Sequence, residues 1–119
     1  MKENQINDII DVSSALERIG GDASFLKELL ELYLEDFSEQ FPLLEGALEE
    51  RDFTAIQELG HSLKGSSANL SLTQLRETAF RIEKAGEANN LEDAQIAAIK
   101  LKNAFERFKD YLPQLTNLI

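Results

Sequence analysis

The sequence predicts an all-α protein: an antiparallel four-helix bundle preceded by one short extra helix. Apolar residues recur three and four positions apart almost throughout the 119 residues, and no stretch shows a sustained alternation of β-branched residues. The two prolines, Pro42 and Pro113, lie far apart and leave long uninterrupted segments. Four long amphipathic helices with short connections are typical of an antiparallel bundle.

The N-terminal part of the chain predicts a short helix after a polar tail. Residues 1–8 are expected to be flexible, and residues 9–119 are expected to form the folded domain. The short helix is predicted over Ile9–Ile19, because two consecutive glycines follow it as a helix stop.

Aspartates mark the predicted starts of the next two helices. Asp22 has the side chain and position of an N-cap for the first long helix, which extends to Glu50. Pro42 is expected to kink or restart this helix. Asp52 is the predicted N-cap of the following helix, which spans Phe53–Leu70 and is roughly 27 Å long at 1.5 Å per residue.

Polar residues also mark the predicted starts of the last two helices. Ser71-Leu72-Thr73-Gln74 has the Ser-x-x-Gln form of a capping box and predicts a helix that ends near Gly86. Asn90 together with Asp93 predicts the start of the last helix. The apolar residues of that helix form a heptad-like seam, made of Ala94, Ala97, Leu101, Ala104, Phe108, Tyr111, Leu115 and Leu118.

Composition excludes several classes of function. Lys and Arg total 12 against 22 Asp and Glu, and the net charge of -10 disfavours binding to nucleic acid or to an anionic membrane surface. The absence of cysteine excludes disulfides, thiolate zinc sites and cysteine nucleophiles. No apolar run approaches the roughly 18 residues of a membrane span, and the first residues lack the apolar stretch of a signal peptide. We therefore expect a cytoplasmic protein.

The single histidine, His61, lies on the predicted helix 53–70, opposite its apolar stripe. At about 100° per residue, and with Leu63 at zero, His61 falls about 160° away. The stripe residues fall within about 40° of Leu63, and they are Ile56, Leu59, Ser67 and Leu70. His61 is therefore predicted to be exposed, and a core histidine is excluded.

Two neighbours make His61 a candidate site. Gly65 lies one turn further along the same face, where a helical glycine costs about 1 kcal/mol relative to alanine but bares the surface beside the imidazole. Lys64 lies on the adjacent stripe, and it is the only permanently charged side chain from Leu59 to Leu75. Such a stretch suits a docking surface. The alternatives are helix packing at Gly65, as expected at Gly60, and an ordinary solvated lysine.

Glu83 is the fourth candidate residue. If the turn between the two helices centres near Ser71, antiparallel packing pairs residues whose numbers sum to about 143. His61 then lies level with Ile82 and Glu83. Glu83 lies near the core side of its helix, so its carboxylate needs a partner. It can hold one ring nitrogen of His61 and leave the other free; the alternative is a pairing with Lys64 or with water.

The segment His61–Leu70 resembles the signature of histidine-containing phosphotransfer (Hpt) domains. The motif has leucine two residues after the histidine, then lysine, glycine, two small residues and an aliphatic residue nine positions on. The chain is also similar to this family over Ala15–Asp22, Phe25–Leu30 and Arg51–Phe53. It departs from the family at Ser71, where glycine is common, and which is also the predicted helix cap.

This resemblance implies a phosphorelay intermediate. His61 would accept a phosphoryl group from the aspartyl phosphate of one response-regulator receiver domain and pass it to the aspartate of another. Lys64 would stabilise the phosphoryl group, Gly65 would give steric access, and Glu83 would orient the imidazole. The chain would bind no cofactor, with Mg²⁺ supplied by the receiver. Its partners would be receiver domains and a sensor or hybrid histidine kinase, and the chain would be a monomer.

Two other functions are compatible with the sequence. The sequence lacks both glycine-rich nucleotide-binding patterns, so it is interpreted as a phosphocarrier without autonomous kinase activity. The first alternative is an adaptor bundle that docks receiver domains while its His61 stays inert. The second is an enzyme, such as a phosphohistidine-based phosphatase or a metal-dependent hydrolase. One histidine and no clustered acidic motif argue against that second alternative.

Overall fold

The computed structural model describes residues 8–119, and helices without any strand make up this part of the chain. The five helices over residues 12–118 are α1 (Val12–Arg18), α2 (Ala23–Glu50), α3 (Phe53–Asn69), α4 (Thr73–Glu87) and α5 (Leu91–Leu118). Helix α3 packs against α2 and α4, while α5 packs against α4 and α2, which closes a four-helix bundle. The predicted all-α fold with a short extra helix is confirmed. None of the described helices is both long and apolar enough to cross a membrane.

Side-chain caps start three of the long helices at the predicted positions. Asp22, Asp52 and Asn90 each accept a hydrogen bond at 3.1 Å from the backbone N–H three residues later. Each such cap satisfies a donor that the first helical turn leaves free, and it contributes about 1 kcal/mol. The predicted starts of α2, α3 and α5 are therefore confirmed.

The segment before α1 differs from the prediction. Residues 8 and 9 are helical, but the helix predicted over Ile9–Ile19 is interrupted at Ile10 and Asp11. Asp11 has an extended backbone and caps a new helix, because its carboxylate accepts from the Ser14 backbone N–H at 3.1 Å. Ile9 and Ile10 are buried in the core. Of the predicted tail 1–8, residues 1–7 lie outside the described residues, and the carbonyl of residue 8 accepts a bond from the Thr73 hydroxyl at 2.8 Å.

The predicted capping box at the start of α4 is wrong. Ser71 has a left-handed backbone with φ of 55°, whereas an N-cap residue has an extended backbone that directs its side chain at the first turn. The cap position falls instead on Leu72, whose apolar side chain cannot accept a hydrogen bond. The Ser71 hydroxyl donates to Ser14 Oγ at 3.0 Å and so joins this turn to α1.

The left-handed conformation of Ser71 leads to a test by paired substitutions. Ser71→Gly and Ser71→Ala both remove the bond to Ser14, but only glycine adopts this backbone without steric cost. The left-handed conformation costs other residues roughly 1–2 kcal/mol, and the extra freedom of glycine in the unfolded chain offsets part of this. We expect Ser71→Gly to be about 1 kcal/mol more stable than Ser71→Ala in urea unfolding. Equal midpoints would show that the turn relaxes around alanine.

Helix α2 continues through Pro42, so the predicted restart does not occur. Proline lacks the backbone N–H and typically costs about 3 kcal/mol inside a helix. Phe37 on one side of Pro42 and Leu44 on the other are buried in the same core. Packing of this continuous apolar face holds the helix together across the proline.

A polar pair lies inside the aromatic part of the core. The rings of Phe37 and Phe105 stack with centroids 3.8 Å apart, which joins α2 to α5. The Tyr33 hydroxyl lies 2.8 Å from Ser67 Oγ, and the Ser67 hydroxyl donates to the Leu63 carbonyl at 2.7 Å. Tyr33 is therefore the donor to Ser67, and burial raises the pKa of Tyr33. This pair explains how a serine occupies the apolar stripe of α3.

Candidate functional site

Helix α3 presents His61 outward, as the helical wheel predicts. Ile56, Leu63 and Ser67 on the opposite face are fully buried, and Leu70 is buried as well. The His61 side chain is 72% exposed. Leu59, the remaining residue of the predicted stripe, is only half-buried against the core. The histidine is therefore a surface residue on a helix whose opposite face is mostly packed in the core.

Two glycines bring the backbones of α3 and α4 into contact. A Cβ atom at Gly60 would lie 2.5 Å from the backbone nitrogen of Glu83, and one at Gly86 would lie 2.6 Å from that of Gln57. Packing is therefore the reason for glycine at position 60. This contact also places Glu83 level with His61, which confirms the register predicted from the turn.

Gly65 has a different environment from Gly60. It is exposed, and no atom of the described residues outside its own helical turn would lie within 4 Å of a Cβ atom built on it. The helix-packing interpretation of Gly65 is therefore excluded. The glycine leaves open surface one helical turn beyond His61.

The carboxylate of Glu83 holds both His61 and Lys64. Its side chain is 8% exposed, and its Oε2 lies 2.7 Å from Nδ1 of His61. The Lys64 ammonium donates to Oε1 at 2.7 Å and to Oε2 at 3.1 Å. The two pairings that the sequence left as alternatives therefore occur together.

The charge of Glu83 sets the protonation pattern of the imidazole. The hydrogen bond from Lys64 lowers the pKa of Glu83, burial opposes this shift, and the hydrogen bond from His61 lowers the pKa further. The ionised carboxylate can only accept hydrogen bonds. In the neutral ring, Nδ1 of His61 therefore carries the proton, and Nε2 carries the free electron pair.

Replacing Glu83 by glutamine is expected to make the protein less stable at neutral pH. The lowered pKa means that the carboxylate contributes stability above its ordinary value of 4.5 and loses that contribution as the pH falls through the folded-state value. We expect Glu83→Gln to cost on the order of 1 kcal/mol at pH 7. The gap from wild type should narrow as the pH falls below 4.5 in urea unfolding. A gap that stays constant with pH would show that the charge of Glu83 does not stabilise the fold.

Phe80 and Lys84 lie beside this cluster and were not singled out from the sequence. The Lys64 ammonium is 5.3 Å from the centroid of the Phe80 ring, and the Lys84 ammonium is 5.4 Å from it. Phe80 is 44% exposed. Residues of α3 and α4 that lie level have numbers that sum to about 143. Phe80 is therefore level with Leu63, the neighbour of Lys64, so the register predicted from the turn also predicts this contact.

Proteins hold metal ions with groups of His, Cys, Asp or Glu side chains that face one point. Within residues 8–119, no group of three His, Cys, Asp or Glu side chains is placed to hold a metal ion. The carboxylate of Glu83 is used by His61 and Lys64.

The comparison with protein families identifies the chain. The model of the Hpt domain matches residues 28–116, which include α3 and all four candidate residues. The chain belongs to the Hpt family. Hpt domains are phosphotransfer intermediates of two-component signalling and are not kinases.

Two curated relatives of this Hpt chain are fungal phosphorelay proteins. The chain is 33% identical over 78 residues to the phosphorelay intermediate protein YPD1 of Candida albicans, and this match covers 66% of the chain and 42% of YPD1. It is 40% identical over 62 residues to the multistep phosphorelay regulator 1 of Schizosaccharomyces pombe, covering 52% of the chain and 21% of that protein. The chain thus spans less than half the length of either relative.

A solved Hpt structure has the same fold. The histidine-containing phosphotransfer protein B of Pseudomonas aeruginosa superposes with a TM-score of 0.81 at 21% sequence identity. The alignment covers 94% of this chain and 96% of that protein, so the similarity extends over the whole bundle.

Proposed function

We propose that this Hpt protein is a phosphorelay intermediate that uses His61 as its phosphoryl carrier. His61 accepts the phosphoryl group from the aspartyl phosphate of one receiver domain and passes it to the aspartate of another. The observation that carries this proposal is the exposed imidazole, with Nδ1 held by a buried carboxylate at 2.7 Å.

The proposed step follows from the protonation of the ring. The electron pair on Nε2 of His61 forms the nitrogen–phosphorus bond, while the bond from phosphorus to the aspartyl oxygen breaks and its electrons stay on the departing carboxylate. The ring then carries the phosphoryl group on Nε2 and the proton on Nδ1, and Glu83 compensates its positive charge. The return step to a second aspartate reverses these bond changes.

Lys64 and Gly65 have supporting roles in this proposal. The Lys64 ammonium, which is bound to Glu83 before transfer, can turn toward a phosphoryl group that carries nearly two negative charges. Gly65 leaves room for a folded partner to approach the imidazole. Glu83 fixes the ring orientation, which favours attack by Nε2.

The remaining parts of the reaction are assigned to partner proteins. Receiver domains supply the aspartate and the Mg²⁺, and a sensor or hybrid histidine kinase supplies the phosphoryl group from ATP. The given sequence lacks both glycine-rich nucleotide-binding patterns, which supports the assignment of the ATP-dependent step to a partner kinase. We also propose that the chain acts as a monomer in the cytoplasm.

The test is intact-mass analysis of the protein after incubation with phosphoramidate, a small phosphoryl donor. His61 is the only histidine, so we expect one acid-labile phosphoryl group, which an added receiver domain removes in the presence of Mg²⁺. If neither phosphoramidate nor a phosphorylated receiver modifies the folded protein, the protein is an inert docking adaptor. Loss of the group to water in preference to the receiver would indicate a phosphatase.

A further inference from the structure

Charge is unevenly distributed between the two halves of the bundle. Residues 23–50, which form α2, contain eight Asp and Glu but one Lys, whereas residues 73–118, which include α4 and α5, contain seven acidic and seven basic residues. In a chain of net charge -10, α4 and α5 therefore repel an acidic partner less than α2 does.

The groove between α4 and α5 concentrates basic side chains around apolar ones. We call it the α4–α5 groove; it has a volume of about 540 Å³. Phe80 and Ile96 line it and are 44% and 46% exposed. The basic side chains that line it are Arg81, Lys84 and Lys100. An exposed aromatic and aliphatic pair with charged residues at its rim is typical of a protein-binding surface.

The basic residues of this groove are largely free to bind a partner. Within residues 8–119, neither Arg81 nor Lys100 forms an ion pair, and Lys84 pairs with Glu87 at 3.2 Å on the exposed surface. The groove has one acidic lining residue in the described chain, Asp93, and that carboxylate accepts a hydrogen bond from the Asn90 side chain at 2.9 Å. The three basic lining residues of the groove therefore outnumber its one acidic lining residue in the described chain.

The α4–α5 groove is continuous with the His61 site. Phe80 lines the groove, and its ring lies 5.3 Å from the Lys64 ammonium that is bound to Glu83. On the other side of α3, the groove between α2 and the first half of α3 is lined by Glu50, Asp52 and Glu58 and by no basic residue of the described chain. The groove between α2 and the end of α3 has, among the described residues, one acidic and one basic lining residue, Asp36 and Arg18. The α4–α5 groove is thus the basic side of the His61 site, and the groove at the first half of α3 is its acidic side.

We propose that the receiver domain bound at His61 extends over Phe80 into the α4–α5 groove and places acidic side chains and an apolar side chain there. This inference rests on the proposed function. Carboxylates opposite Arg81, Lys84 and Lys100 speed association and fix the orientation of the partner. The acidic groove between α2 and the first half of α3 opposes an orientation that places these acidic side chains over it, because like charges would then lie together.

The test uses Arg81→Glu/Lys100→Glu, in which neither residue contacts His61, Lys64 or Glu83. The matched control is Lys102→Glu/Lys109→Glu, which makes the same charge change on α5 outside this groove. Phosphoramidate modifies His61 without protein docking, so we expect equal phosphoramidate rates for both variants and wild type. The receiver is the one that removes phosphate from wild type in the preceding experiment. We expect transfer between it and the groove variant to fall about tenfold at low salt and subsaturating receiver, with a smaller deficit at high salt.

Each other outcome overturns the inference. Normal receiver transfer in the groove variant, or an equal loss in the control, would show that this groove does not bind the receiver. A wild-type dimer in light scattering that is lost only in the groove variant would identify a second copy as the occupant. Absence of modification of wild type by both phosphoramidate and a phosphorylated receiver would instead refute the proposed function, so the two failures are distinguishable.

Discussion

The His61→Gln variant is expected to accept no phosphoryl group and to unfold at the wild-type denaturant concentration. Glutamine has no nucleophilic ring nitrogen, and no other histidine in the chain can replace it. The His61 side chain is 72% exposed, so its removal leaves no cavity in the core. Glu83 keeps its bonds to Lys64 and does not become a buried charge without a partner. Intact-mass analysis and urea unfolding of the same preparation measure both effects.

Leu63→Ala, two residues along the same helix, is the control variant for which we expect the opposite result, a loss of stability without a loss of phosphorylation. Leu63 is fully buried, and a leucine truncated in a core typically costs about 2–5 kcal/mol. We expect this variant to unfold at much lower urea but to be phosphorylated under conditions where it is folded. A large loss of stability in His61→Gln together with a negligible loss in Leu63→Ala would reverse the assigned faces of α3.

The second large effect is expected from alanine at the two glycines of α3. An alanine in place of a helical glycine contributes about 1 kcal/mol through propensity alone. At Gly65 this gain is unopposed, because open space surrounds the new methyl group. At Gly60 the methyl group would lie 2.5 Å from the backbone nitrogen of Glu83, so α3 and α4 must separate. Such overpacking typically costs about 1–3 kcal/mol and sometimes more.

Gly65→Ala is therefore expected to be more stable than Gly60→Ala by about 1–3 kcal/mol, because the propensity gain applies at both positions and only the overpacking at Gly60 differs. The rates of phosphotransfer to a receiver are not expected to follow the stabilities of the two variants. The stable Gly65→Ala should transfer phosphate to a receiver more slowly than wild type, because its methyl group projects into the approach path. Urea unfolding and receiver-dependent transfer of the two variants and wild type measure these effects. Equal stabilities would show that the two helices adjust freely to the extra carbon.

Most of the fold followed from side chains that signal local structure. Asp22, Asp52 and Asn90 fixed three helix starts, because an N-cap depends on residues three positions apart in one segment. The prediction at Ser71 was wrong because it used only this local spacing. The spacing of Ser71 to Gln74 matches a capping box, but the sign of the Ser71 φ angle depends on how α3 turns into α4. The restart predicted at Pro42 was wrong because local propensity predicts a break in the helix, whereas packing of the whole α2 face keeps the helix continuous.

The geometry of the candidate site was predictable where it depended on helix register alone. Wheel position placed His61 at the surface, and the turn centre placed Glu83 beside it. The simultaneous bonds of Glu83 to His61 and Lys64 depend on side-chain conformations that a register argument does not provide. The α4–α5 groove was missed because Phe80 and Ile96 come from different helices, and their shared exposure depends on how those helices pack.

The contact at Gly60 has a consequence for how such a protein can diversify. The residue whose backbone touches Gly60 is Glu83, whose carboxylate also holds the imidazole. The spacing of acid and base is therefore set by two helix backbones in van der Waals contact, and the loops and the exposed residues of α4 and α5 do not enter into it. Exposed residues of α4 and α5 are therefore free to change in paralogues while the imidazole keeps its position. Chemistry and recognition are thus separable traits in this fold, open to independent selection and to independent engineering.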